Sequence, residues 1–341
     1  MQRKLDAELP EGGSADPNAT VDTRPAAPAK AGGRRRPAPP VGSSAIFDQD
    51  WWLDAVTCGR IEQAEVRWDS VTVGVLPYFV EKRGLFRKIV LPPMTRIMTP
   101  RLAPPGERDV VRTSNKVKII DELMGKVGKF DSYHTTIRLA EDLLLAYQLN
   151  RFNISSKLTF VSDAETPIEQ VLKDMDQKPR NVVKTARKYV QIERHMDLER
   201  FKKLRRSVTE KDHNNYEALA RVIDAVSSRG CGTFLSATDD GGHDLATAFL
   251  VWDPDRMYYL LAVKGNGPEA NRAAALVFFE SLAYSKEIGV AFDADGFATL
   301  ASATALQRWG LTIKANANIT KGSLRYTALK PVKDLISPPP F

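Results

Sequence analysis

Two carboxylates one residue apart are the clearest candidates for acid and base chemistry in this sequence. Asp293 and Asp295 close the apolar run "VAFDAD". Neighbouring carboxylates at a strand end can differ in pKa, so that one stays protonated near neutral pH and serves in general acid or base catalysis. Tyr258 and Tyr259 lie on a strand predicted beside this run, and we assign catalytic roles to Asp293, Asp295 and Tyr259. Asp-x-Asp-Gly also starts ordinary turns, which is the alternative role.

The segment "VKGNGPEANRAAAL" runs from a predicted strand into a predicted helix and has the composition of an anion-binding turn. Glycine allows close approach of the backbone, and Pro268 suits the first turn of a helix. Amide groups at a helix start bind anions, and basic side chains nearby add charge. The predicted donor-binding residues are Lys264, Gly265, Asn266, Gly267 and Arg272. A plain structural turn is the alternative.

Basic side chains are concentrated in the middle of the chain. Between Lys178 and Arg206, eleven Lys or Arg residues outnumber three acids, and the resulting +8 exceeds the +7 of the whole chain. As a helix, residues 177–190 would have one apolar face and one basic face. The basic face carries the predicted substrate-binding residues Arg180, Lys184, Arg187 and Lys188. A solvated surface helix is the alternative, because a charge run on a helix needs no ligand.

A proline-rich segment in the first half, "LPPMTRIMTPRL", contributes one further candidate. Arg96 projects from this irregular stretch and is predicted to line the pocket of an acceptor substrate. A rigid connector between two elements explains the prolines equally well.

The hydrophobic patterns predict the same order of elements twice. Residues 1–43, with seven prolines and no hydrophobic periodicity, are predicted to be a disordered tail, and residues 332–341 a second one. Three strands, helix, strand, helix and strand are predicted within 44–176. Nearly the same order recurs in 177–331, which begins with the basic helix and includes the strands "GTFLSAT", "DLATAFLVW" and "RMYYLLAV". The repetition indicates duplication and two domains.

This order resembles the N-acetyltransferase (GNAT) fold, and two such domains in tandem resemble the Fem family of acyl and aminoacyl transferases. The likeness is carried by "KPRNVVKTARKYVQI", by "MYYLLAVKGNGPEANRAAALVFFESLAYSKEIGVAFDADG" and by "ALQRWGL". The resemblance implies an α/β (α+β) fold of two tandem GNAT-like domains, each a mixed, mostly antiparallel sheet flanked by helices.

The same resemblance implies an acyltransferase. Its donor would be acyl-CoA, such as acetyl-CoA, and its acceptor an amine on a sugar or on a precursor of the cell envelope or of exopolysaccharide. Fem members that build peptidoglycan bridges carry a long helical arm, whereas "RRSVTEKDHNNYEAL" leaves room only for a short turn. This departure argues against aminoacyl-tRNA as the donor, and a nucleic acid is a partner only if the donor is an aminoacyl-tRNA. The alternative is a protein that binds a glycan precursor or a nucleic acid without catalysis.

Other classes of function find little support in the composition. Two cysteines and four histidines show no metal-ligand spacing, so we predict no metal. No apolar run is long enough to span a membrane, and the first residues lack the apolar core of a signal peptide. A cytoplasmic protein is expected.

Overall fold

The described part of the first half contains a 3-10 helix, four α-helices and six strands. The computed structural model describes residues 45–106, 108–209, 215–296 and 299–327, and the predicted tails lie outside these ranges. In chain order the elements are a 3-10 helix (Ile46–Asp48), α1 (Asp50–Thr57), β1 (Glu62–Trp68), β2 (Val71–Arg83), β3 (Phe86–Val90), β4 (Arg101–Leu102), α2 (Asp109–Val127), β5 (Ser132–Arg138), α3 (Glu141–Leu149), β6 (Asn153–Ser162) and α4 (Ile168–Asp174).

The second half begins with the basic stretch, which is a helix only as far as Ala186. Its elements are α5 (Gln177–Ala186), β7 (Gln191–His195), α6 (Leu198–Val208), α7 (Tyr216–Ser227), β8 (Gly232–Thr238), β9 (Asp244–Trp252), β10 (Arg256–Lys264), α8 (Gly267–Glu287), β11 (Ala291–Asp293), α9 (Leu300–Gln307) and β12 (Thr312–Gly322). The long helix α8 has Pro268 in its first turn, and Gly289, with φ +75°, follows its last turn. Both residues sit where helix boundaries favour them.

The strands of the described residues belong to one sheet. Their order is β1-β2-β3-β5-β12-β6-β11-β10-β9-β8-β7, and β4 pairs with β2. Neighbours are antiparallel except for β3 beside β5 and β10 beside β11, which are parallel. A mixed, mostly antiparallel sheet flanked by helices confirms the predicted fold class.

The last strand of the chain lies in the middle of the sheet. β12 is inserted between β5 and β6 of the first half and pairs antiparallel with both. Its alternating sequence places Ala317 and Ile319 in the core beneath α2 and α3, and asparagines on the other face. β12 thus crosses the boundary placed between residues 176 and 177, and that division into domains stays a prediction.

Three hydrophobic clusters hold the helices against the sheet. One lies between α2, α3 and the strands of the first half. A second lies between α5, α8 and one face of β8 to β11. The third joins the 3-10 helix, α1, α6 and α7 to the opposite face of β8 to β10. Both faces of β8, β9 and β10 are therefore covered, as expected from their nearly continuous apolar sequences.

Candidate active site

The strands β10 and β11 run side by side briefly and then separate. Their pairing ends at Tyr258 beside Asp293, and a bulge between Tyr259 and Leu261 bends β10. Because α8 follows β10 and α9 follows β11, the gap opens toward the beginnings of two helices. Ligands of α/β sheets bind outside the carboxyl ends of parallel strands, where neighbouring strands lead in different directions. This gap is the candidate active site.

A groove of about 960 Å³ lies between α5, the first turns of α8, and α9. Three cations line it, Lys178, Arg272 and Arg308. Its apolar lining consists of Pro179, Val182, Pro268, Ala275, Leu300, Ala301, Ala305 and Trp309. The volume is that of a small-molecule site, and the mixture of cations and apolar surface suits a ligand with an anionic part and an apolar part.

The beginning of α8 supplies part of this groove. Asn266 precedes the helix without a side-chain hydrogen bond to its first amides, so these amides lack a side-chain cap. Arg272, one turn further on, lines the groove. The other predicted donor-binding residues, Lys264, Gly265, Asn266 and Gly267, form the end of β10 and the turn into α8. Their contact with a donor stays a prediction.

Asp293 lies at the gap and is buried, with a side chain that is 4% exposed. Its Oδ2 accepts a hydrogen bond from Nη1 of Arg256 at 2.9 Å. Its Oδ1 accepts from the Thr159 hydroxyl and, at 2.9 Å, from the backbone amide of Asp295. Asp295 itself has φ +61°, so the carboxylate caps a tight turn. Asp293 thereby joins β6, β10 and β11, which matches the turn role considered for this motif.

Arg96 reaches the gap from the first half of the chain. Its Nη2 donates to the carbonyl oxygen of Leu260 in β10 at 2.7 Å, and its Nε lies 2.5 Å from Oδ2 of Asp295, after β11. The guanidinium therefore bridges the two strands where they no longer pair with each other. Burial raises the pKa of Asp295, and the charge of Arg96 opposes that rise.

Lys157 on β6 is a site residue that the sequence patterns did not single out. It lines a small cavity together with Arg96, Tyr258, Asp293 and Asp295. With the residues that the structure describes, its amine makes no hydrogen bond or ion pair. Burial lowers the pKa of Lys157, and the nearby charge of Asp295 acts in the opposite direction. The cavity thus holds a cation whose charge is not matched by a direct contact.

The two tyrosines of β10 face opposite sides of the sheet. The Tyr258 hydroxyl accepts a hydrogen bond from Nη2 of Arg138 at 3.4 Å. Tyr259 packs under α8, with its ring centroid 5.2 Å from that of Phe278. Burial raises the pKa of both phenols. Asp293 pairs in register with Tyr258, so the structure does not bring Tyr259 together with the two aspartates.

The basic helix α5 borders the groove through Lys178 rather than through the four side chains predicted to bind substrate. Arg187 pairs with Glu280 of α8 at 2.7 Å. The other three are exposed and make no ion pair within the described part of the chain: Arg180, Lys184 and Lys188. Their role in binding substrate stays a prediction.

Replacing Asp295 with Asn should raise the melting temperature at pH 7. Because burial raises the pKa of this carboxyl, folding favours its protonated form, and stability falls as the pH rises from the unfolded pKa, about 3.9, through the folded one. Asn imitates the protonated form at every pH. Differential scanning calorimetry should therefore show equal stability below about pH 4 and a more stable variant at pH 7.

The exposed Asp240→Asn serves as the matched control, with no change expected at either pH. A lower melting temperature of Asp295→Asn at pH 7 would mean that the ion pair with Arg96 outweighs the cost of burial.

The two halves repeat one arrangement of elements. Each half contains an antiparallel group of strands, a helix and then a parallel strand pair, β3 with β5 and β10 with β11. The resemblance predicted from the sequence is confirmed at the level of the fold. Neither a protein-family model nor a curated protein matches the sequence.

Solved structures give the more particular likenesses. The chain is similar to FemX, with a TM-score of 0.61 and 13% identity over 88% of this chain and 96% of the other. It is similar to the C-terminal domain of a putative lysylphosphatidylglycerol synthetase from Agrobacterium fabrum (TM-score 0.53, 11% identity, 85% and 94% covered). A tandem GNAT protein from the clavulanic acid biosynthesis pathway gives a TM-score of 0.51 at 10% identity, covering 80% and 87%.

Two features are absent from the described ranges. No group of three or more His, Cys, Asp or Glu residues there is placed to hold a metal ion. None of the helices described is both long and apolar enough to cross a membrane.

Proposed function

We propose that this protein is an N-acyltransferase that moves an acyl group from acyl-CoA, or a related carrier, to an amine on a sugar or cell-envelope precursor. The observation that carries the proposal is the cationic groove beside the helices that follow β10 and β11, at the gap between these strands. The groove has room for a long anionic carrier, and we place the reacting end of that carrier toward the gap, where Arg96 joins the two strands. The similarity to FemX and to a tandem GNAT protein supports the fold on which this arrangement depends.

A coenzyme A carrier matches the chemistry of the groove. Lys178, Arg272 and Arg308 would neutralise its phosphates, and the amides at the start of α8 would add the positive end of the helix dipole. The apolar residues of α5 and α9 would contact the arm that carries the thioester. No carboxylate lines the groove itself, and Arg308 is paired with Asp176 at 3.7 Å, so Lys178 and Arg272 are the groove cations without an ion-pair partner among the described residues.

Transfer requires a neutral amine and a held thioester. The amine nitrogen attacks the carbonyl carbon, the C–N bond forms, the C–S bond breaks, and the thiolate takes up a proton while the amine loses one. An amine of pKa near 8 costs about 1 kcal/mol to deprotonate at pH 7, and one near 10.4 costs about 4.6. Holding the reactants together contributes about 7 to 11 kcal/mol, so positioning in the gap is the main catalytic device.

Asp295 is the proposed proton acceptor. It borders the gap, and its raised pKa suits proton uptake better than an ordinary aspartate does. Asp293 is already committed to Arg256, Thr159 and the turn. Asp295→Asn should therefore lose turnover even where it gains stability, and this opposite movement of activity and stability separates a catalytic role from a structural one.

Donor binding can be measured without knowing the acceptor. Acetyl-CoA at 100 times its Kd should stabilise the wild-type chain by about 2.7 kcal/mol, as measured by thermal shift. Arg272→Ala removes one charged contact to phosphate and should weaken Kd about tenfold or more, because hydrogen bonds to charged groups contribute about 1.5 to 3 kcal/mol.

Lys203→Ala is the control, since Lys203 of α6 is an exposed basic residue that does not line the groove. Equal losses in the two variants would indicate nonspecific attraction of an anion to a basic surface. No stabilisation by any acyl-CoA would overturn acyl-CoA as the donor.

A further inference from the structure

The three central strands β5, β12 and β6 carry a polar face beside the gap. Directly opposed residues of antiparallel strands point to the same face, so the register places side chains in cross-strand rows. From the gap outward, the rows are Lys157, Asn316 and Arg138; Ser155, Asn318 and Thr136; and Asn153, Thr320 and His134. We call these nine residues the polar grid.

The polar grid faces away from the helices of the first half. The alternate residues of the same strands, among them Ile137, Ala317 and Ile319, are buried beneath α2 and α3. On the grid side, Asn153 and Ser155 of β6 are exposed, whereas Thr136 of β5 is buried. A ligand can therefore reach this face, while the other face is occupied by core packing.

The side-chain composition of the polar grid is unusual for a solvent-exposed surface without a ligand. It holds three amides, three hydroxyls, two cations and a histidine, and none of its nine positions is acidic. Solvated surfaces normally mix charges of both signs. Amides and hydroxyls both donate and accept hydrogen bonds, which is what the hydroxyl groups of a sugar ring require. The Thr136 hydroxyl donates to Oδ1 of Asn318 at 2.8 Å, which fixes the central amide.

In the corner of the grid nearest the gap, Asp293 and Asp295 pair with Arg256 and Arg96, which leaves the charge of Lys157 without a direct partner among the described residues. Lys157 and Asn316 line the small cavity that also contains Asp293 and Asp295. Among the described residues, the Lys157 amine has no ion-pair partner, although it is partly buried. A negatively charged group on a ligand would compensate this charge.

We propose that the polar grid binds the acceptor as an anionic amino sugar, with the sugar hydroxyls on Asn316, Asn318 and Ser155 and the anionic group on Lys157. The inference rests on the proposed transferase function. It places the acceptor on the face of the sheet opposite the donor groove and next to the gap. The substrate class thus follows from the grid's own side chains.

Neighbouring serines on β6 provide a matched test. Ser155→Leu places an apolar side chain on the grid, whereas Ser156→Leu makes the same change at an exposed position on the opposite face. Isothermal titration of the full chain with glucosamine 6-phosphate should show binding by wild type and by Ser156→Leu, and an affinity at least about tenfold weaker for Ser155→Leu, because buried hydroxyls would lose partners. Lys157→Met should bring glucosamine 6-phosphate down to the affinity of neutral glucosamine.

The outcomes separate the inference from the proposed function. If wild type binds acetyl-CoA but not glucosamine 6-phosphate, or if both serine variants bind equally, the grid is not the acceptor site and the transferase proposal stands. If the sugar binds at the grid but no acetylated sugar appears by mass spectrometry with acetyl-CoA, the site stands and the proposed transfer to this acceptor fails. Should Ser155→Leu not fold, Lys157→Met decides the question alone.

Discussion

A chain that ends at Leu311, immediately before β12, is expected not to fold. β12 lies between β5 and β6, so its loss removes the backbone partners of two central strands and the buried side chains of Ala317 and Ile319. Unpaired backbone groups in a sheet interior and a missing core layer each cost more than a domain's net stability of about 5 to 15 kcal/mol allows. Circular dichroism should show no cooperative thermal transition.

A second truncation, ending at Thr327, is the control, because it retains every strand of the described residues. It should melt cooperatively, like the full chain. A cooperative transition in the shorter chain would contradict the central position of β12.

The same feature predicts the behaviour of the two sequence halves. Residues 44–176 made alone lack β12 and should be unfolded, and co-expression with residues 177–341 should restore a folded complex that purifies as one species. A stable, monomeric first half would show that β5 and β6 can close without the strand between them.

Asp293→Ala is expected to destabilise the protein by about 3 to 5 kcal/mol, the usual cost of removing one partner from a buried ion pair. The substitution leaves the Arg256 guanidinium without its carboxylate at 2.9 Å and also removes the acceptor of the Thr159 hydroxyl. Urea denaturation should show the loss as a lower midpoint. The exposed Asp240→Ala is the control and should stay within about 0.5 kcal/mol of wild type.

The double variant Asp293→Ala with Arg256→Met tests the cause. If the unpaired guanidinium is responsible, removing it should recover part of the lost stability, since the two effects are coupled. Unchanged stability of Asp293→Ala together with lost acyl transfer would instead make Asp293 a catalytic residue.

Much of the second half was predictable from local sequence. The runs "GTFLSAT" and "DLATAFLVW" coincide with β8 and β9, because each is a short stretch of apolar and small residues without a charge in its interior and with turn residues nearby. Strand pairing is a different matter. The alternation in "TIKANANITKG" predicts a strand but does not indicate which strands pair with it. β12 pairs with residues more than 150 positions away in the sequence.

The site was predicted less completely than the fold, for identifiable reasons. The turn into α8 and Arg272 could be recognised from local composition. Lys178 and Arg308 line the same groove only because α5 and α9 pack beside the start of α8. Lys157 looks like any polar residue of an amphipathic strand until β11 is placed beside β6. The sequence did predict that Tyr258 and Tyr259 lie on different faces of the sheet, because consecutive residues of a strand point to opposite faces.

The position of β12 also bears on how the protein is made. On a ribosome, β5 and β6 emerge long before β12, which completes their hydrogen bonding. About half of the chain is synthesised between them. During that time β5 and β6 expose strand edges, which are templates for aggregation. Emergence of β12, rather than emergence of the first half, should therefore set the moment of folding, and cells depleted of nascent-chain chaperones should accumulate this protein in an insoluble form.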